Sequence, residues 1–144
     1  MTVAGWTSAA LVALCVLLLA GAGHGADSAL ARAHGAADAW LALVDGSQYE
    51  ASWDSAASPF RAAVTRSDWQ TSLMKARAPF GPIRGRTLLS AAYRTELPGV
   101  PPGEYVVMQY EAEVAGDRTI VETVTPMRES DGRWRVSGYY IRPR

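Results

Sequence analysis

The sequence predicts an α+β domain, helices first and a four-stranded antiparallel sheet after them, on three observations. Between Asp27 and Ala78 apolar residues recur at spacings of three and four, and from Arg86 onward they alternate. The alternating half is broken by short turns at Ala115-Gly116-Asp117 and Ser130-Asp131-Gly132. Spacings of three and four align side chains along one stripe of a helix, alternation puts them on one face of a strand, and short turns join antiparallel neighbours. Helices followed by strands in this order gather the helices on one face of the sheet.

The chain begins with an apolar run, Ala9 to Ala20, AALVALCVLLLA. A run of about a dozen residues is short for a bilayer span and matches the core of a signal peptide. Ala20-Gly21-Ala22 then offers an A-x-A cleavage signature. The expectation is a signal peptide over 1–26, cleaved between 22 and 26, and a single α+β domain over 27–144. That makes the protein exported, to the periplasm or secreted. Met1 to Ser8 contains no Lys or Arg, so an uncleaved membrane anchor is the alternative. A lipoprotein is disfavoured, because Leu14 precedes Cys15 and the apolar run continues beyond it.

The first helix is read from Asp27, with Leu30, Ala33, Ala37, Trp40, Leu41 and Val44 inward and Asp45-Gly46 as its stop. His34 lies near that stripe and reads as a packed, singly hydrogen-bonded imidazole rather than a ligand or base. A second helix spans Ser47 to Ala57, with Tyr49, Trp53 and Ala56 on one side, and Ser58-Pro59 breaks it; Phe60 to Thr65 adds a further turn. Ser67 followed by Gln70 has capping-box spacing. It places a third helix over Asp68 to Ala78, with Trp69, Leu73 and Ala76 inward, ended by Pro79 and Gly81.

The first strand is expected from Arg86 to Leu97, with Leu89, Ala91, Tyr93, Thr95 and Leu97 sharing a face. A loop through Pro98-Gly99-Val100-Pro101-Pro102-Gly103 follows. The second strand, Glu104 to Val114, sets Val106, Met108, Tyr110, Ala112 and Val114 against Gln109, Glu111 and Glu113. The third runs from Arg118 to Met127. In the fourth, Trp134 to Ile141, strict alternation sends Trp134, Val136 and Tyr140 to one face and Arg135, Ser137 and Tyr139 to the other.

Composition narrows function. Among 144 residues, 14 Lys and Arg balance 14 Asp and Glu, so no net field attracts nucleic acid or an anionic membrane. Cys15 is the one cysteine and His34 one of two histidines, which leaves too few ligands for a zinc or iron site, and no calcium-loop pattern occurs. No cofactor or metal is expected. The chain also lacks a Ser-His-Asp arrangement and a phosphate loop, and Asp54 reads as a solvated carboxylate.

Glu122 is the anomaly. It falls between Ile120 and Val124 on one face of the third strand. If that face is the core, the carboxylate is buried, which is costly unless it is paired. Buried and unpaired, it is the one candidate for a general acid or base. Paired with Arg77 or Arg86, it is a scaffold element; if the other face of the strand is the core, Glu122 stands in water. Tyr110 and Tyr140, with Arg77, Arg86 and Glu122, form the candidate ligand-binding set, tyrosine hydroxyls serving to orient a ligand in an apolar pocket. Trp40, Trp53 and Trp69, one per helix, read as core anchors before carbohydrate platforms.

Several short motifs in order carry a resemblance: Trp40-Leu41-Ala42-Leu43-Val44-Asp45, Trp53, Trp69, Arg77 with Gly81 and Arg86, Leu97-Pro98-Gly99, Gly103-Glu104-Tyr105, Val121-Glu122-Thr123-Val124-Thr125, and Asp131-Gly132 followed by Trp134 to Ile141. Together they resemble the bacterial domain-of-unknown-function family 4019 over nearly all of the chain after the signal peptide. The resemblance implies an exported protein whose helices pack in the cup of a curved sheet, similar to the nuclear-transport-factor-2-like fold. It brings no activity, substrate or catalytic residue with it. The expected function is a non-enzymatic module of the cell envelope binding a small ligand or a protein partner. A small hydrolase or isomerase using Glu122 as general acid or base is the alternative.

Overall fold

The computed structural model describes residues 20–144. The apolar run before Ala20, with Cys15, lies outside the described residues. Four helices precede four strands: α1 (Ala20–Asp45), α2 (Tyr49–Asp54), α3 (Ser58–Ala63), α4 (Arg66–Arg77), β1 (Gly85–Arg94), β2 (Tyr105–Val114), β3 (Arg118–Arg128) and β4 (Trp134–Pro143). The strands pair antiparallel in the order β1-β2-β3-β4. They form an open, curved sheet, and α1 lies across one of its faces, touching all four strands. Among the described residues no helix is long and apolar enough to cross a membrane.

Helix α1 buries Ala29, Ala33, Ala37, Trp40, Leu41 and Val44, the stripe its spacing predicts, with Leu30 packed at its margin. It begins at Ala20, seven residues before the expected start. Its C-terminus does not use Gly46 for the reversed backbone: Ser47 takes the positive φ of 58°, and the Gly46 and Gln48 amides donate to the Ala42 and Leu43 carbonyls.

The second helix ends at Asp54, three residues short of the expected Ala57, and Ser58-Pro59, expected as a break, opens α3 instead, because proline suits the first turn of a helix. The α4 cap also moves. Thr65, not Ser67, accepts from the Asp68 amide, at 3.1 Å, and its hydroxyl donates to the Asp68 carboxylate at 2.7 Å. Thr-x-x-Asp two residues upstream therefore outcompetes Ser-x-x-Gln. Trp69 and Leu73 point inward, but Ala76 is exposed.

Strand β2 behaves as expected, burying Val106, Met108, Tyr110, Ala112 and Val114. Strands β1 and β4 do not, because each contains a register shift. In β1 the pairing passes from Leu88 opposite Tyr110 to Ser90 opposite Gln109, which leaves Leu89 as the extra residue. Arg86 and Leu88 therefore share a face with Ala91 and Tyr93, while Leu89 is exposed. In β4 the pairing passes from Val136 opposite Pro126 to Gly138 opposite Thr125. Ser137 is the extra residue, at the point where Pro126 has no amide to give. Tyr139 thereby joins Trp134 and Val136 on the inner face, and Tyr140 turns outward with 64% of its surface exposed.

The core lies between α1 and the sheet in two parts. A large cluster gathers Trp40, Leu41, Trp69, Leu73, Met108, Val124 and Val136, and a small one gathers Ala112, Val114 and Ile120 under Phe80 and Ile83. Trp40 and Trp69 are core anchors. Their indole nitrogens donate to the Ser52 carbonyl at 2.9 Å and the Ser52 hydroxyl at 3.0 Å, around a serine with no exposed surface. Trp53 is half-buried, donates to the Val64 carbonyl and carries Arg61 and Arg66 over its ring.

Candidate functional site

Where the two clusters meet, α1 and α4 both end, and both present the negative end of a helix dipole. Glu122, from the middle of β3, comes up beneath them with none of its surface exposed. Three donors meet it. Arg86 Nε lies 2.6 Å from Oε2, the Tyr139 hydroxyl donates to Oε1 at 2.5 Å, and Arg77 Nη1 stands 3.6 Å from Oε1. Arg77 also donates to the Tyr139 oxygen at 3.3 Å.

Asp45, the last residue of α1, closes the arrangement. Its Oδ1 receives Arg77 Nη2 at 2.7 Å and Arg86 Nη2 at 3.1 Å, and its Oδ2 receives Arg86 Nη1 at 2.8 Å. The result is a ring, Asp45–Arg77–Glu122–Arg86, in which signs alternate and the formal charges cancel. Asp45 faces solvent and Glu122 lies innermost. One residue comes from each of α1, α4, β1 and β3, and Tyr139 adds β4.

Mutual pairing sets the ionisation of the ring. Burial alone would raise the Asp45 pKa, but hydrogen bonds from Arg86 and Arg77 more than offset it and hold the carboxyl below its ordinary value. Burial likewise works against the charge on Arg86, and the bonds to Asp45 and Glu122 raise its pKa instead. Arg77 follows the same pattern, burial lowering its pKa and the negative groups around it prevailing. The Tyr139 hydroxyl is pushed well above the ordinary tyrosine value, first by burial and then by the negative charge of Glu122. It therefore acts as a donor at any physiological pH.

The structure gathers three of the five ligand-binding candidates, Glu122, Arg77 and Arg86. It places Tyr140 elsewhere, on the outer face, because the Ser137 bulge reverses the alternation from which it was chosen. Tyr139 stands in its stead. Tyr110, the fifth, is buried one strand away opposite Glu122, and its hydroxyl turns toward Asp38 at 3.5 Å. Sequence reading missed Asp45 because Asp-Gly at a helix end reads as a stop signal, although its i,i+4 partner Leu41 and neighbour Val44 already marked that turn as inward. His34, expected as a packed, singly hydrogen-bonded imidazole, is packed on one side only. Its side chain is 44% exposed, it stands 3.5 Å from Asp38, and its ring stacks on Tyr110. Asp54 is paired with Arg66.

Two clefts flank the ring. One of about 430 Å³ runs between α1 and the inner rim of β1 and β2, past His34, Asp38, Asp45, Arg86, Leu88 and Tyr110. A second of about 550 Å³ opens between α1 and α4 over Asp45, Tyr49, Met74 and Arg77. Among the described residues no group of three His, Cys, Asp or Glu side chains is placed to hold a metal ion.

An α+β domain with helices on one face of a four-stranded antiparallel sheet, tied together by a partly buried ion ring, is the class that fold and site define. The chain belongs to the domain-of-unknown-function family 4019 (DUF4019), described as a protein of unknown function, which it matches over residues 36–139. That span includes Asp45, Arg77, Arg86, Glu122 and Tyr139. Among curated proteins no match to the chain was found.

Proposed function

We propose that this is an exported, non-enzymatic binding module of the cell envelope, which takes a small ligand or a protein partner in the clefts beside the ion ring. We also read its architecture as nuclear-transport-factor-2-like, on the helices lying against one face of a curved antiparallel sheet. The observation that carries the functional reading is the closure of Glu122. Both of its oxygens face donors and none of its surface is exposed, which supports a scaffold role for Glu122 over that of an acid or base. The hydrolase or isomerase reading loses its support with that closure. Export rests on the signal-like sequence before Ala22.

A broad ligand screen by thermal shift on the purified chain, with pull-downs from envelope extract, tests the reading. A reproducible rise in melting temperature, or a captured partner whose binding is lost when a cleft-lining residue is replaced, is expected. Turnover of a small ester, amide or isomerisable substrate that disappears in Glu122→Gln would overturn it.

A further inference from the structure

The cleft between α1 and β1–β2 has a chemistry of its own, set by a hydroxyl that the fold holds only by long bonds. Tyr110 keeps only 2% of its surface exposed, and both bonds of its hydroxyl are long. Asp38 Oδ1 lies at 3.5 Å and Met108 Sδ at 3.7 Å, both at the outer limit of a hydrogen bond. A ligand oxygen in the cleft at the usual distance of about 2.7–2.8 Å would give this hydroxyl a shorter bond than either.

The neighbouring groups say what kind of partner. Arg86 lies between Asp45 and Glu122, so its charge is cancelled and it offers an anion little attraction, but its two Nη atoms keep N–H groups beyond those spent on Asp45. Asp38 is a carboxylate with 56% of its side chain exposed, and a single exposed carboxylate holds a cation only weakly. The wall thus presents donors at Tyr110 and Arg86, an acceptor at Asp38, either role at His34, and apolar surface at Leu88, with no dominant charge. Groups that both donate and accept, on adjacent carbons of a neutral molecule, complement that wall. Its volume of about 430 Å³ falls within the roughly 300–1,000 Å³ range of small-molecule sites.

We propose that this cleft binds a neutral polyhydroxylated ligand, a pyranose unit, with Tyr110 and Arg86 donating to one hydroxyl oxygen and Asp38 accepting from its neighbour. The proposal rests on the binding-module reading and narrows it to one site and one ligand class.

The test is an NMR titration of the full-length chain with glucose, N-acetylglucosamine and maltose, against putrescine and succinate as charged comparators. At least one saccharide is expected to shift the resonances of His34, Asp38, Leu88 and Tyr110 saturably. Tyr110→Phe should weaken that binding by about tenfold, equivalent to ~1.4 kcal/mol. The exposed replacement Leu88→Arg, which fills the cleft without touching the core, should abolish it and serves if Tyr110→Phe fails to fold. Unchanged affinity in Leu88→Arg overturns the proposal, as does silence from all three saccharides. Stronger saturation by putrescine or succinate at the same resonances overturns the ligand class and leaves the binding-module reading standing.

Discussion

Glu122 shows how a single charged side chain is made tolerable in a core. Desolvating it would cost several kcal/mol, and Arg86, Arg77 and Tyr139 together offset that cost through charge and hydrogen bonds. Glu122→Gln removes the charge and leaves the inner arginine faces without it. An expected loss of about 3 kcal/mol appears as a lower urea midpoint with an unchanged slope, and the loss persists in 1 M NaCl because a buried pair is poorly screened. Adding Arg86→Met to Glu122→Gln should recover part of it, since Asp45 and Arg77 still balance one another. The two neighbouring tyrosines separate cleanly. Tyr139→Phe leaves Glu122 short of a donor and should cost about 1–2 kcal/mol, whereas Tyr140→Phe, on the exposed side of β4, should stay within about 0.5 kcal/mol. Strict alternation predicts the reverse order.

At the scale of elements, the site is made by two bulges. Leu89 in β1 and Ser137 in β4 each insert one residue, and each turns the following or preceding side chain onto the face where Glu122 lies, Arg86 in one case and Tyr139 in the other. The central strands β2 and β3 pair with each other without a shift. Helix α4 contributes Arg77 from its last turn, where a cation also suits the helix dipole, so its cap matters to the ring. Thr65→Ala should lower stability by about 1 kcal/mol, and Ser67→Ala should change it by less than about 0.5 kcal/mol, both read from urea denaturation. Equal effects would return the cap to Ser67.

The whole molecule should be stable over a wide plateau of pH with two falling arms. On the acid side, the folded-state values of Asp45 and Glu129 are lowered, Glu129 by bonds from Ser58 and Arg135 that outweigh its burial, and Asp131, bound to Arg135, is lowered to about 2. The unfolded chain takes up these protons first, so stability is complete above about pH 5 and is lost as pH falls toward about 2. On the alkaline side, Tyr139 and Tyr110 are raised above 10.0. The unfolded chain releases these protons first, so stability falls as pH rises past about 10. Urea midpoints from pH 2 to 11 check both arms, and Tyr139→Phe should flatten the alkaline one.

The sequence by itself determined the class of fold, the order of its elements, most of the core stripe and the alignment of Glu122 with Ile120 and Val124, while its burial was decided by the tertiary structure. What the sequence determined follows from local periodicity: an i,i+3/i+4 stripe on α1, clean alternation on β2, and a carboxylate in register with Ile120 and Val124. The partners of Glu122 were legible as two nearby arginines, and both proved to be engaged. Only the tertiary structure decided the rest. A bulge exists between two strands and not within one, so nothing local in Trp134 to Ile141 says that Tyr139 rather than Tyr140 turns inward. Asp45 joins Arg77 and Arg86 from 32 and 41 residues away because two helices end at the same point above β3. The ring is a property of that convergence, and no single stretch of chain encodes it.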